Sequence, residues 1–73
     1  MKKGDWYKFN MGTSEEQYFM NKFYSPFKIV YIKKDGICIC KGYNSRFTWK
    51  WNSFYIKEAC IKMTKAQVFL ELL

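Results

Sequence analysis

The stretch "FKIVYIKKDGICICKG", residues 27–42, contains the clearest local structural signal in the chain. Two runs rich in β-branched residues flank Asp35-Gly36, a pair suited to the left-handed positions of a two-residue hairpin turn. The pattern therefore predicts an antiparallel hairpin. Its predicted register sets four pairs opposite each other: Lys34 and Ile37, Lys33 and Cys38, Ile32 and Ile39, Tyr31 and Cys40. The side of this hairpin that faces the core is predicted to carry Phe27, Ile29, Tyr31, Cys38 and Cys40.

The residues before the hairpin predict a strand and then a short helix. In "WYKFNM", residues 6–11, apolar side chains recur at every second position, which is typical of a half-buried strand. The inward residues of this strand are predicted to be Tyr7, Phe9 and Met11. Thr13 or Ser14 can cap a helix that runs from about residue 14 to 24, with Glu16 or Gln17 completing a capping box. Pro26 ends it, because proline disfavours helical backbone at the residue before it.

After the hairpin, residues 42–45 predict a turn, and "RFTWKW", residues 46–51, predicts another strand. Its alternation allows two interpretations. Either Phe47, Trp49 and Trp51 fill the core, or they are displayed as stacking platforms on a basic surface. Strand alternation favours the core for at least two of the three rings. "FYIKEACI", residues 54–61, predicts a short last strand.

Three segments resemble small SH3-like β-barrel proteins, many of which are encoded by bacteriophages. They are Gly4-Asp5-Trp6, "YIKKDGICIC" at residues 31–40 and "WKWNSFYIKEA" at residues 49–59. The resemblance covers about the first sixty residues and implies five short strands closing on one core, with a helix inserted between the first two. It also implies that Tyr7, Phe9, Ile29, Cys38 and Cys40 face inward. We therefore expect a mainly β (α+β) single SH3-like domain over residues 1–73, with the barrel at about residues 4–62.

The aromatic content exceeds what so small an interior can hide. The 73 residues include 3 Trp, 6 Tyr and 7 Phe, and each ring buries roughly 150–250 Å². A sizeable minority of apolar side chains must therefore lie at the surface, where some of them face a partner. Trp6 and Tyr55 alternate away from the inward faces and Tyr43 lies in a turn, so these three rings are the predicted contact residues.

The charge balance favours an anionic partner. The chain has 13 Lys plus Arg against 6 Asp plus Glu, a net charge of +7. Lys33, Lys34, Arg46 and Lys50 are predicted to contribute to a positive patch, for which the alternative is a solvated rim that keeps the sheet edges soluble. Arg46 is the only Arg, and because Arg supplies the fork for bidentate base contacts, sequence-specific base reading is disfavoured.

Catalysis and metal binding have little support in the sequence. The chain contains no His, and Glu15, Glu16 and Asp35 already have structural explanations. No phosphate loop, nucleophile elbow or spaced carboxylate pair is present. Cys38, Cys40 and Cys60 are few and odd in number, and the pairs lack zinc-module spacing, so buried thiols are favoured over a metal site or disulfides. We expect no enzyme activity and no cofactor.

A C-terminal helix is predicted over about residues 64–73, capped by Thr64. Its apolar stripe consists of Val68, Phe69, Leu72 and Leu73. The stripe either covers the open end of the barrel or forms a homodimer contact, since so short a helix is not stable alone. No apolar run resembles a signal peptide or a membrane span, so we expect a cytoplasmic protein that does not enter a membrane.

Two functional hypotheses follow. The first is a non-catalytic, phage-type accessory protein that binds a host protein or nucleoprotein complex and modulates or inhibits it. The alternative is a basic module that binds RNA or single-stranded DNA through its lysines and neighbouring rings. The predicted contact residues are Trp6, Lys33, Lys34, Tyr43, Arg46, Lys50 and Tyr55.

Overall fold

Five strands form one antiparallel sheet in the computed structural model, which describes residues 1–43 and 46–72. The strands are β1 (Trp6–Phe9), β2 (Phe27–Ile32), β3 (Ile37–Gly42), β4 (Thr48–Asn52) and β5 (Cys60–Met63). Their order across the sheet is β4-β3-β2-β1-β5, so the first strand lies between β2 and β5. The sheet is not closed. The structure thus confirms a small α+β fold built on five antiparallel strands.

Three helices complete the described part of the chain: α1 (Ser14–Tyr24), α2 (Ser53–Ala59) and α3 (Lys65–Glu71). Each begins after a polar residue whose side chain accepts a hydrogen bond from the first turn. Thr13 Oγ1 accepts from Glu16 N at 3.2 Å, and Asn52 Oδ1 accepts from Phe54 N at 2.8 Å. Thr64 and Gln67 form a reciprocal capping box at the start of α3.

The predicted strand over residues 54–61 is wrong, because most of that segment is helix α2. Ile56, Ala59 and Cys60 are buried at a spacing of three and four residues, which is the period of a helix that packs one side on a core. The Asn52 cap starts the helix immediately after β4. The last strand begins only at Cys60, where Cys60 becomes the partner of Phe9 across β1 and β5.

The hairpin forms, but its predicted register is wrong by one residue. Lys33 N donates to Ile37 O at 2.8 Å, so the loop contains three residues and not two. Its last residue, Gly36, has a φ of 86°, the left-handed conformation that closes a three-residue hairpin loop. The observed partners are Ile32 with Cys38, Tyr31 with Ile39, and Ile29 with Cys40.

An irregularity in β2 explains why the Tyr31 ring lies on the opposite side of the sheet from the side that was predicted. The register shifts between Ile29 and Tyr31, as in a β-bulge, which leaves Val30 as the extra residue. Consequently Tyr31, which the hairpin pattern predicted to face the core, is 57% exposed. Ile32 takes its place and packs against the core.

The core lies on one face of the sheet, between the strands and helices α1 and α2. Its buried sheet residues include the five that the resemblance implied: Tyr7, Phe9, Ile29, Cys38 and Cys40. Met11, predicted to join them, is 48% exposed because β1 ends at Phe9. Beyond that point one backbone bond to the neighbouring segment remains, from Asn10 N to Ala59 O.

Two of the three rings in the Trp-containing strand pack against the core. Trp49 and Trp51 are half-buried, and their ring centroids lie 5.8 and 5.4 Å from that of Phe27. Phe47 precedes the first residue of β4 and is 79% exposed. The prediction that at least two of these rings pack in the core is confirmed, and Phe47 is the ring that lies at the surface.

Helix α3 contacts β5 but buries only part of its predicted stripe. Val68 is buried, whereas Phe69 is 65% exposed and Leu72 is at the surface. Leu73, the last member of the stripe, and Asn44 and Ser45 of the predicted turn lie outside the described residues. None of the helices in the described part of the chain has the length and hydropathy needed to cross a bilayer.

Candidate partner-binding surfaces

Many aromatic rings are exposed to solvent and do not pack in the core. The exposed rings among the described residues are Tyr18, Phe19, Phe23, Tyr31, Tyr43, Phe47, Phe54, Tyr55 and Phe69. Three of them belong to helix α1, which buries no residue completely. Its sheet-facing side carries the half-buried Met20, Asn21 and Tyr24, so the remaining aromatic residues of the helix point outward.

Four exposed apolar side chains from separate segments line one surface groove, called here the aromatic groove. Phe23 comes from the end of α1, Tyr43 follows β3, Phe47 precedes β4 and Leu72 follows α3. The groove has a volume of about 630 Å³. Tyr43 N donates to Pro26 O at 3.0 Å, which fixes the turn after β3 against the start of β2. Apolar residues that lie far apart in sequence therefore share a single concave surface.

The rim of the aromatic groove is cationic. Lys22 and Arg46 both line it and both are exposed. The acidic residue in the lining is Glu71, whose carboxylate lies 3.8 Å from Lys8 Nζ. Because Glu71 already has a cationic neighbour, the two rim cations give the groove a positive character.

A second surface lies on the side of the sheet that faces away from the core. It carries the exposed lysines Lys28, Lys33, Lys41 and Lys50, called here the lysine face. Lys28 and Lys41 are direct partners across β2 and β3. Lys50 is the partner of Ile39 in β3, and Ile39 lies two residues before Lys41 on the same side of the sheet. The bulge in β2 brings Tyr31 to this face. Strands β2, β3 and β4 contain no acidic residue.

At one end of the lysine face is a small depression, called here the Trp6–Tyr43 cleft. It measures about 140 Å³ and is lined by Trp6, Lys28, Lys41, Gly42 and Tyr43. Trp6 is the strand partner of Lys28, whose Nζ lies 5.7 Å from the centroid of the indole ring. Two aromatic residues and two lysines thus line one depression.

The structure brings together some of the predicted contact residues and separates others. Trp6 and Tyr43 share the cleft, Tyr43 and Arg46 share the aromatic groove, and Lys50 lies on the lysine face. Lys34 is the first residue of the hairpin loop, Lys33 immediately precedes it, and both are exposed. Tyr55 lies on α2, 38% exposed, with its ring 5.2 Å from that of Trp51. Tyr55 does not line the aromatic groove or the Trp6–Tyr43 cleft.

Sequence reasoning did not include Phe23 or Phe47 among the predicted contact residues. The signal for Phe23 was present in α1: Gln17, Met20, Asn21 and Tyr24 recur at three and four residues and are the half-buried set. Taking that set as the packed side would have placed Phe23 outward. For Phe47 the alternation was correct, but β4 begins at Thr48, two residues later than the predicted start at Arg46.

The three thiols are buried and free. Burial raises the pKa of Cys40 to about 12 and that of Cys60 to about 11, and it also raises the pKa of Cys38. Thiols held in the neutral form are poor nucleophiles and poor metal ligands. Within the residues that the structure describes, no group of three or more Cys, Asp or Glu side chains is arranged to hold a metal ion.

Comparisons of the chain with protein-family models, with curated proteins and with solved structures gave no significant match.

Proposed function

We propose that this chain is a non-catalytic binding protein that docks on a larger protein through the aromatic groove. The resemblance to SH3-like phage proteins makes it an accessory protein that acts in the host cytoplasm. There it binds a host protein, free or within a nucleoprotein complex, and modulates or inhibits it.

The observation that carries this proposal is the convergence of Phe23, Tyr43, Phe47 and Leu72. Their exposed fractions are 69%, 55%, 79% and 36%. Scattered exposed apolar residues are ordinary on protein surfaces, but a concave cluster with a charged rim is typical of a protein contact site. Aromatic side chains at such a site supply most of the binding free energy.

The rim defines the chemistry of the partner. Lys22 and Arg46 favour acidic residues around an apolar anchor, since complementary charge speeds association and selects the partner. The partner we propose therefore inserts one or two apolar side chains into the groove and presents Asp or Glu beside them.

The SH3-like assignment is part of the proposal. The described chain has five short antiparallel strands, a helix between the first two, and the five implied inward residues buried in the core. Helix α3 is additional to that pattern. Its exposed Phe69 and Leu70 form a smaller apolar face. This face is the proposed contact between two copies of the chain in a homodimer.

Capture of the partner from lysate of the natural host tests the groove. Phe47→Ala should remove the partner, because it deletes the most exposed ring of the groove. Phe54→Ala is the matched control: Phe54 is 74% exposed and lies beyond the other end of β4. Nuclease treatment in parallel separates protein partners from nucleic acid. Equal capture by both variants, with unchanged circular dichroism, would contradict the proposal.

A further inference from the structure

We propose that the chain has a second binding site, adjacent to the aromatic groove and sharing Tyr43 with it, for single-stranded nucleic acid. The Trp6–Tyr43 cleft holds an unpaired base, and the lysine face contacts the phosphates that flank it.

The pairing of Lys28 with Lys41 is the first observation behind this site. Like charges directly opposite each other on adjacent strands are destabilising. No acidic residue of β2, β3 or β4 offsets them. The two ion pairs of the described residues lie elsewhere, at Lys8–Glu71 and Lys62–Asp5. A bound polyanion neutralises this repulsion, so the lysine face is complementary to a phosphate backbone.

The composition of the cleft is the second observation. Trp6 and Tyr43 bring ring surfaces to an exposed depression of about 140 Å³, and Lys28 and Lys41 line the same depression. Proteins that bind single strands combine these two elements: bases stack on aromatic rings while cations follow the backbone. A duplex hides the faces of its bases, so stacking of this kind selects unpaired nucleotides.

The third observation is the continuity of the face beyond the cleft. Lys50 is a diagonal neighbour of Lys41 across β3 and β4, and Lys33 directly follows the last residue of β2. Tyr31 is exposed between these lysines as the partner of Ile39. A nucleic-acid single strand that extends from the cleft over the lysine face therefore meets further lysines and a further aromatic ring. With Lys as the cation throughout, the site is expected to bind without strong sequence preference.

Fluorescence anisotropy with labelled dT12, rU12 and a 12-base-pair duplex tests the site in low salt. We expect both single strands to bind more tightly than the duplex, and the dT12 to rU12 ratio shows whether DNA or RNA is preferred. Tyr43→Leu should weaken single-strand binding by roughly 5- to 150-fold, the effect of losing one stacked base. Tyr18→Leu, an exposed Tyr on α1, is the matched control and should leave affinity unchanged.

The lysines are tested separately through salt dependence. Each phosphate neutralised on a single strand contributes about −0.7 to the slope of log affinity against log salt concentration. Lys28→Gln combined with Lys41→Gln should therefore reduce the magnitude of the slope by about 1.4. Lys57→Gln, on α2, removes one charge away from this face and should not change the slope.

Two results would overturn the inference. One is duplex binding as tight as single-strand binding, and the other is equal effects of Tyr43→Leu and Tyr18→Leu with unchanged circular dichroism. If either occurs while Phe47→Ala still removes the protein partner, the proposed function stands and the nucleic-acid site does not.

Discussion

The side-chain amide of Asn21 makes two hydrogen bonds to the backbone of Phe9. Its Oδ1 accepts from Phe9 N at 2.8 Å, and its Nδ2 donates to Phe9 O at 3.0 Å. An adjacent strand would satisfy both groups in the same way, but the partners of β1 in β2 end at Tyr7. Ser25 Oγ, just after the last residue of α1, also accepts from Phe9 N at 3.1 Å. These two side chains complete the end of β1 and fix the helix that carries Phe23.

Asn21→Ala should lower the free energy of unfolding by roughly 1–3 kcal/mol, because it leaves the partly buried Phe9 carbonyl without this partner and the Phe9 N–H with only the Ser25 hydroxyl. Urea denaturation monitored by circular dichroism measures the change. Asn10→Ala is the matched control, since Asn10 is exposed and its contact with Ala59 is made by the backbone. Equal stability of the two variants would show that the amide bridge contributes nothing.

The hairpin loop depends on the backbone conformation of Gly36. A Cβ at this position would meet Ser53 Oγ at 3.5 Å, an ordinary contact, so the cost of substitution is conformational and not steric crowding. Gly36→Ala should reduce stability by about 1–2 kcal/mol, the penalty for an L-residue at positive φ. Gly36→Asn should cost less, because Asn tolerates that region. If the two variants are equally stable, the left-handed loop geometry is not what limits this position.

Stability should fall in alkaline solution because of the buried thiols. Between the ordinary thiol pKa of 9.0 and the raised values of about 12 for Cys40 and about 11 for Cys60, the folded protein keeps protons that the unfolded chain has lost. This contribution is complete below pH 9 and is lost as the pH rises through the folded pKa values. Between pH 9 and 11 each thiol should lower the free energy of unfolding by about 1.4 kcal/mol per pH unit.

Urea denaturation at intervals from pH 8 to pH 11 measures this slope. The double variant Cys40→Ala with Cys60→Ala is expected to be less stable at pH 8, because it leaves cavities, but to have a flatter pH dependence. An identical slope in both proteins would exclude the thiols as its cause.

The strand content was predictable because period-two alternation and Asp-Gly are local signals. Details that depend on backbone geometry were not. Asp35-Gly36 fits either a two-residue or a three-residue loop, and that choice shifts the whole register by one residue. The bulge at Val30 then turns Tyr31 outward, and no residue type marks it in advance.

The helix over residues 53–59 shows a conflict between two local signals. Aromatic and β-branched residues in "FYIKEACI" favour a strand, whereas the Asn52 cap and the buried Ile56 and Ala59 favour a helix. Packing against the sheet decides between them. The cap could have been recognised from the sequence, although the burial could not.

The presence of exposed aromatic residues beside lysines was predictable from the sequence, but which of these residues share a surface was predictable only in part. The excess of rings over core volume predicted exposed aromatics, and the charge balance predicted cationic neighbours. Which rings share a groove depends on tertiary contacts between chain segments far apart in sequence. Phe23, Tyr43 and Leu72 lie on three such segments, and no local pattern connects them.

Site-specific photo-crosslinking in the natural host tests most directly whether a host protein binds at the aromatic groove. A photoreactive phenylalanine analogue is placed at position 47 or at position 54. Both positions hold exposed Phe rings, but only position 47 lines the aromatic groove. We expect a discrete crosslinked product with one host protein from position 47 and none from position 54. The same products from both positions, or none from position 47, would contradict it.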